Sequence, residues 1–77
     1  MTNIADPNLY RIRVEGILPK SWSASFAGMD IQHEGNTSLL TGVLPDQSAL
    51  YGILNHLAGL NLTLIFLERL SRLNHEA

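Results

Sequence analysis

Apolar residues recur with the period of an α-helix in the stretch that follows Pro45. Four of them share one helical face, at the spacing i, i+3, i+4 and i+7: Leu50, Ile53, Leu54 and Leu57. Asp46 is placed to cap the first turn, and Gly59 to end the helix in a left-handed conformation. Gly52 weakens this helix, and we expect it to permit close packing against a sheet.

An almost wholly apolar run at residues 62–67 predicts a strand. Alternation divides the run between two faces, with Leu62, Leu64 and Phe66 on one and Thr63, Ile65 and Leu67 on the other. Because both faces are mainly apolar, we expect this strand to be covered on both sides or held at an interface.

Apolar and charged side chains alternate along residues 10–15. This pattern predicts a half-buried strand whose polar face carries Arg11, Arg13 and Glu15. The strand is expected to end before Pro19, which cannot donate a backbone hydrogen bond.

A very short helix is predicted for residues 22–26, with Ser21 as its N-cap and Gly28 closing it. Trp22 and Phe26 are four residues apart and therefore meet on one side of it. We interpret the two rings as part of the core, and the alternative is an aromatic ligand pocket.

Gly35 and Asn36 separate two β-compatible runs, residues 30–34 and 37–42, which is typical of a hairpin. The turn sets the register, with three pairs on the face expected to turn toward the helix: His33 with Ser38, Ile31 with Leu40, and Met29 with Gly42. The other face is mostly polar, with Leu39 as its apolar exception.

The predicted order of elements is strand, short helix, strand, strand, helix, strand. This order favours a small α+β protein of the ferredoxin-like β-α-β-β-α-β type, with an antiparallel sheet and helices on one face. Because the first connection is short for a crossover, a β-β-β-α-β meander with one main helix is the alternative. Residues 1–8 are expected to be a flexible leader, 9–70 a single domain, and 71–77 a frayed tail.

Length and composition narrow the possible functions. The chain has 77 residues and no cysteine, so we expect one small domain without disulfides or thiolate metal sites, to which a partner subunit would add stability. A net charge of −2 argues against nucleic-acid binding. The sequence shows neither a secretory signal pattern nor an apolar run near the roughly 20 residues of a membrane span. We expect a cytoplasmic protein that contacts neither nucleic acid nor membrane.

No catalytic, cofactor-binding or metal-binding motif stands out in the sequence. The histidines fit no metal-ligand spacing, and the serines lack the context of a nucleophile. Arg11, Arg13 and His33 are the candidates for a polar surface that binds a small anionic ligand. We favour the alternative, an ordinary solvent-facing sheet with cross-strand ion pairs.

Apolar side chains on an otherwise polar sheet face usually mark a protein contact. The candidates for such a contact on the predicted outer face are Leu39, Thr63, Ile65 and Leu67. We therefore predict a non-enzymatic interaction or regulatory module that forms a homodimer, or binds another protein, through this face or through the last strand as an edge. The alternative is a small-molecule-binding domain, or an enzyme, with a pocket between the sheets of a dimer.

Several short motifs are distinctive as a set. They are YRIRVEG at residues 10–16, SWS at residues 21–23, HE at residues 33–34 and PDQSAL at residues 45–50. With these motifs, most of residues 10–66 resembles a group of short, uncharacterised bacterial proteins. That group has no established activity, so the resemblance implies a small bacterial cytosolic domain and no particular reaction. Its members tend to have histidine where this chain has Tyr51, so no histidine-based role is carried over to that position.

Overall fold

Four strands and two helices make up residues 7–72, the part of the chain that the computed structural model describes. In chain order they are β1 (Asn8–Glu15), a 3₁₀ helix (Lys20–Phe26), β2 (Asp30–Glu34), β3 (Thr37–Leu44), α1 (Gln47–Gly59) and β4 (Leu64–Arg72). β4 continues past the predicted end at residue 67, because residues 68–72 also pair with β1. Most of the predicted leader, residues 1–8, and of the predicted tail, residues 71–77, lies outside the described residues.

The strands form one antiparallel sheet in the order β2-β3-β1-β4. This confirms the prediction of a small α+β protein with a four-stranded antiparallel sheet. The ferredoxin-like form is not matched, because that fold has two α-helices and the connection between β1 and β2 forms only the 3₁₀ helix. The meander is wrong in its strand order, since β1 pairs with β3 and β4 and not with β2.

The β2–β3 hairpin has the predicted register. His33 is opposite Ser38, and Ile31 is opposite Leu40. Gly35 has a φ of 59°, which suits the first central position of a type II′ turn. Ile31 and Leu40 are both buried, as expected for the face that turns toward α1.

The hydrophobic core lies between one face of the sheet and the two helices. It consists of the buried side chains Tyr10, Ile12, Val14, Leu18, Phe26, Met29, Ile31, Leu40, Leu44, Leu50, Ile53 and Leu57. The last three come from α1, and Leu54 packs at the margin, so the predicted helical face is confirmed. The buried Tyr10 hydroxyl accepts a hydrogen bond of 2.9 Å from Gln47 Nε2, which satisfies its polar atom.

Both ends of α1 are closed by hydrogen bonds. Asp46 Oδ1 accepts the backbone N–H of Ala49 at 2.9 Å, as expected of an N-cap. The predicted role of Gly59 at the other end is wrong, because the helix continues through Gly59 and Asn61 takes the left-handed conformation, with a φ of 64°. The N–H groups of Asn61 and of the following residue bond back to the last turn, which completes a Schellman motif. Asparagine tolerates this conformation better than most residues.

The helix between β1 and β2 is of the 3₁₀ type and spans Lys20–Phe26. Ala27 ends it in the left-handed region, with a φ of 57°, and no side chain caps its start, so the predicted cap at Ser21 is wrong. Phe26 is completely buried, whereas 40% of Trp22 is exposed. The prediction that both rings pack in the core therefore holds only for Phe26.

Two glycines give a matched test of packing. A Cβ atom at Gly42 would lie 3.1 Å from both the Cα and the Cγ of Met29, whereas one at Gly52 would meet no atom within 4 Å. The predicted close packing at Gly52 is therefore wrong.

Gly42→Ala should lower the free energy of unfolding by about 1–3 kcal/mol through overpacking. Gly52→Ala should raise it by up to about 1 kcal/mol through helix propensity. Urea unfolding followed by circular dichroism measures both, and equal losses would contradict the close approach at Gly42.

Candidate interaction surface

β4 is one of the two edge strands of the sheet. It pairs with β1, and none of the described strands pairs with its other side. The backbone N–H and C=O groups on that side are therefore available to a further strand. The opposite edge is β2, which has five residues against the nine of β4 and carries mostly polar side chains.

Four apolar side chains of β4 are exposed. The exposed fraction is 47% for Leu64, 45% for Ile65, 38% for Leu67 and 39% for Leu70. α1 packs toward β3, on the far side of β1, and leaves these side chains uncovered. Together they form the β4 edge surface, an apolar strip along an edge strand, which is typical of a protein contact.

Two β-bulges interrupt the pairing of β4 with β1. The register skips one residue of β4 at each bulge, first Ile65 and then Leu70. Between the two bulges, residues 66–69 pair regularly with β1. The regular part of this edge is therefore short, and both bulged residues belong to the β4 edge surface.

The first bulge changes the face on which Leu67 lies. Leu67 was predicted on the outer face, but it is opposite Ile12, which is buried on the helix-covered face. Directly opposite residues of an antiparallel pair share a face, so the predicted face is wrong. The reason is that one extra residue reverses the alternation of every residue that follows. The sequence prediction also missed Leu64 and Leu70 as members of the surface.

Phe66 takes the outer face, beside two arginines of β1. The guanidinium carbons of Arg11 and Arg13 lie 5.9 and 5.6 Å from the centre of its ring, within the range of cation–π contact. Arg11 forms a salt bridge of 2.7 Å with Glu68, and Arg13 one of 2.6 Å with Glu34. Each arginine is therefore matched by a carboxylate on another strand of the same face.

The other predicted interface residues lie apart from the β4 edge surface. Leu39 is on β3, opposite Arg13, so it lies two strands away from β4 on the outer face. Thr63 directly precedes β4, and its backbone carbonyl accepts the N–H of Glu15 at 2.9 Å. The structure thus brings Ile65 and Leu67 together on one strand but does not join Leu39 to them.

His33 does not join the arginines of β1 in a polar surface, because it pairs with Ser38 on the helix side of the sheet. Its Nε2 donates a hydrogen bond of 2.6 Å to the carbonyl of Leu18. A carbonyl can only accept, so Nε2 carries the proton. Ser38 Oγ donates to the carbonyl of Gly16 at 2.7 Å and accepts the N–H of Leu18 at 2.8 Å. His33 and Ser38 therefore hold the loop that follows β1.

His56 has a packing role at the edge of the core. Its ring stacks on that of Phe26, with 4.5 Å between the ring centres and 17° between the planes. Because Phe26 is completely buried, the imidazole covers the edge of the core between α1 and the 3₁₀ helix.

The hydroxyl of Ser38 can be tested separately from the interface. Ser38→Ala would leave the buried N–H of Leu18 and the carbonyl of Gly16 without this partner. We expect it to lower the free energy of unfolding by about 1–3 kcal/mol. Ser48→Ala, at an exposed position of α1, is the control and should change it by less than about 0.5 kcal/mol. Urea titration of both variants is the measurement, and a Ser38→Ala value as small as the control would contradict the role of the hydroxyl.

Among residues 7–72, no three His, Asp or Glu side chains lie close enough together to hold a metal ion. None of the helices in that range is both long and apolar enough to cross a bilayer.

An open depression lies at the β4 edge, lined by Arg11, Phe66, Leu67 and Glu68. Because this depression is open and its two charged groups are paired with each other, its geometry suits contact with another surface better than enclosure of a substrate.

Comparison with known proteins identifies a family without a known function. No curated protein matches the chain, and no solved structure does. A family model described as "Domain of unknown function (DUF8691)" matches residues 9–68, which is most of the chain. This agrees with the expectation of an uncharacterised family. The chain therefore belongs to the DUF8691 family.

Proposed function

We propose that this domain is a non-enzymatic protein-interaction or regulatory module that self-associates through β4. The observation that carries the proposal is the β4 edge surface: four exposed apolar side chains on a strand whose outer edge has no partner among the described strands. Adding a strand to that edge would satisfy its free backbone groups and bury apolar surface in the same contact.

The contrast between the two sheet edges supports this proposal. Charged side chains on an edge strand discourage the addition of another strand. β2 begins with Asp30 and ends with Glu34, and both are exposed. β4 presents exposed leucine and isoleucine at four positions; of its charged residues, Glu68 is held by Arg11 and Arg69 is exposed. The β4 edge therefore has the apolar side chains typical of a protein contact, and the β2 edge does not.

A second copy of the chain fits this edge well. A domain of this size buries only about 60% of the surface of its unfolded chain, so additional burial is a considerable gain in stability. Two identical edges can pair antiparallel about a two-fold axis, which satisfies both sets of backbone groups in one closed contact. The same contact would bury exposed apolar side chains of the β4 edge surface on both copies.

The second candidate is a small-molecule-binding domain, or an enzyme, with a pocket between two subunits. One observation favours it: a second subunit at β4 would close the open depression beside Arg11 and Phe66. A charged ligand there would have to displace Glu68 from Arg11, which weakens this candidate. For either function we propose the bacterial cytoplasm as the setting, because of the resemblance of residues 10–66.

Absolute mass in solution tests the proposal. Light scattering over a hundredfold dilution should give twice the mass of the chain at the higher concentrations. Ile65→Lys and Leu67→Glu should each shift the protein to the mass of one chain, because each places a charge where apolar surface is buried. A loss of at least tenfold in dimer affinity is expected for each variant, since burying an unpaired charge costs well over 1.4 kcal/mol.

Val43→Lys is the matched control, because Val43 is 46% exposed but lies on β3 at a distance from the β4 edge. It should keep the dimer mass and the circular dichroism spectrum of the parent chain. A parent chain that has the mass of one chain at every concentration would contradict the proposed function. A dimer that survives both β4 substitutions, with the fold intact, would place the contact elsewhere.

A further inference from the structure

We propose that two copies join their β4 strands antiparallel, with Leu67 of each copy on the two-fold axis. This inference rests on the proposed function and adds the register of the contact. It makes one continuous eight-stranded sheet, in which Phe66 of each copy is opposite Glu68 of the partner subunit.

The regular segment of β4 limits where the axis can lie. In one continuous sheet, the two-fold axis that relates two antiparallel β4 strands is perpendicular to the sheet. Because directly opposite residues must lie on the same face, this axis has to pass midway between one residue and the same residue of the second copy. Bulges at Ile65 and Leu70 interrupt the strand on either side of residues 66–69. The axis therefore falls at one of those four residues, where β4 is regular enough to form hydrogen bonds with a second β4 strand.

The charges in this segment separate the four choices. An axis at Glu68 would set two carboxylates directly opposite each other, and an axis at Arg69 would do the same with two guanidinium groups; like charges so placed are destabilising. An axis at Phe66 would set two rings directly opposite each other, each with Arg11 and Arg13 already beside it, and the carboxylate of Glu68 would not face the partner's ring. An axis at Leu67 avoids both like-charge pairs and sets Glu68 opposite the partner's Phe66.

The Leu67 axis also gives favourable neighbours. The two Leu67 side chains, each 38% exposed in the single chain, meet on the helix side of the sheet. On the outer face, Glu68, which also holds Arg11 of its own copy, comes opposite the partner's Phe66 and near the Arg13 guanidinium beside that ring. Leu64 and Leu70 lie three residues on either side of Leu67 in the sequence, just outside the regular segment, so an exposed apolar residue flanks the seam at each end.

Disulfide trapping tests the register, and the chain suits it because it has no cysteine of its own. Phe66→Cys and Glu68→Cys are prepared as separate variants, mixed in equal amounts and exposed to oxidised glutathione. In the proposed register, position 66 and position 68 of the partner have Cα atoms about 4.5–5.5 Å apart, within reach of a disulfide. The Cα atoms of the two residues 66, one from each copy, are about 8 Å apart, and so are those of the two residues 68. Both distances exceed the limit of about 7 Å for a disulfide.

The expected result is a disulfide-linked dimer in the mixture and at least tenfold less of it in either variant alone. Cross-linking of Phe66→Cys alone or of Glu68→Cys alone would move the axis to that residue and overturn the register. Leu67→Cys is the second variant, and it should cross-link with itself, which keeps the register testable if the Phe66 variant fails to fold. A parent chain that is a dimer, with no cross-link in any of these samples, would overturn the register and leave the proposed self-association standing. A parent chain that is a monomer would overturn the proposed function itself.

Discussion

The packing of a single α-helix against the sheet is the interaction on which the rest of the structure depends. Leu50, Ile53 and Leu57 of α1 are buried against the sheet together with Ile12 and Leu40, and the helix leans toward β3. An α-helix is about 10–12 Å wide, whereas four strands span about 14 Å across the sheet. One helix therefore cannot cover all four strands. The 3₁₀ helix covers part of the remainder, next to β2. Leu64 and Leu67 of β4, on the far side of β1, are among the apolar residues that stay exposed. Their exposure follows from this incomplete coverage of the sheet.

Local signals in the sequence were sufficient for the helix and the hairpin. The buried face of α1 follows from the 3.6-residue period, and the β2–β3 register follows from the two-residue turn at Gly35 and Asn36. Features that depend on distant contacts were not predictable in this way. The left-handed residue after α1 is Asn61 and not Gly59, because the helix continues for two more residues before the N–H groups of Asn61 and Leu62 close its last turn. Likewise, Trp22 is left half exposed because Phe26 alone reaches the core.

The candidate surface was predictable only in part. The apolar character of residues 62–67 points to a contact, and Ile65 and Leu67 do lie on the exposed edge strand. Their arrangement depends on two bulges, which arise from the pairing of β4 with β1 and have no signal in the sequence of β4 itself. For the same reason Phe66, expected with the core-facing residues, lies on the outer face between arginines. Strand alternation predicts faces correctly only as far as the next bulge.

The two edges of the sheet also determine what kind of assembly the proposed contact can form. A domain with two apolar edges would add copies at both ends and grow into a fibre. Here the second edge, β2, is short and carries Asp30, Gln32 and Glu34, all exposed. A pair joined through β4 would therefore present only these polar edges to solvent, and no third copy could extend the sheet. The bulges at Ile65 and Leu70 also limit the assembly, because they confine regular strand pairing at β4 to a few residues. A sheet with one apolar edge and one polar edge, paired about a two-fold axis, closes at two copies.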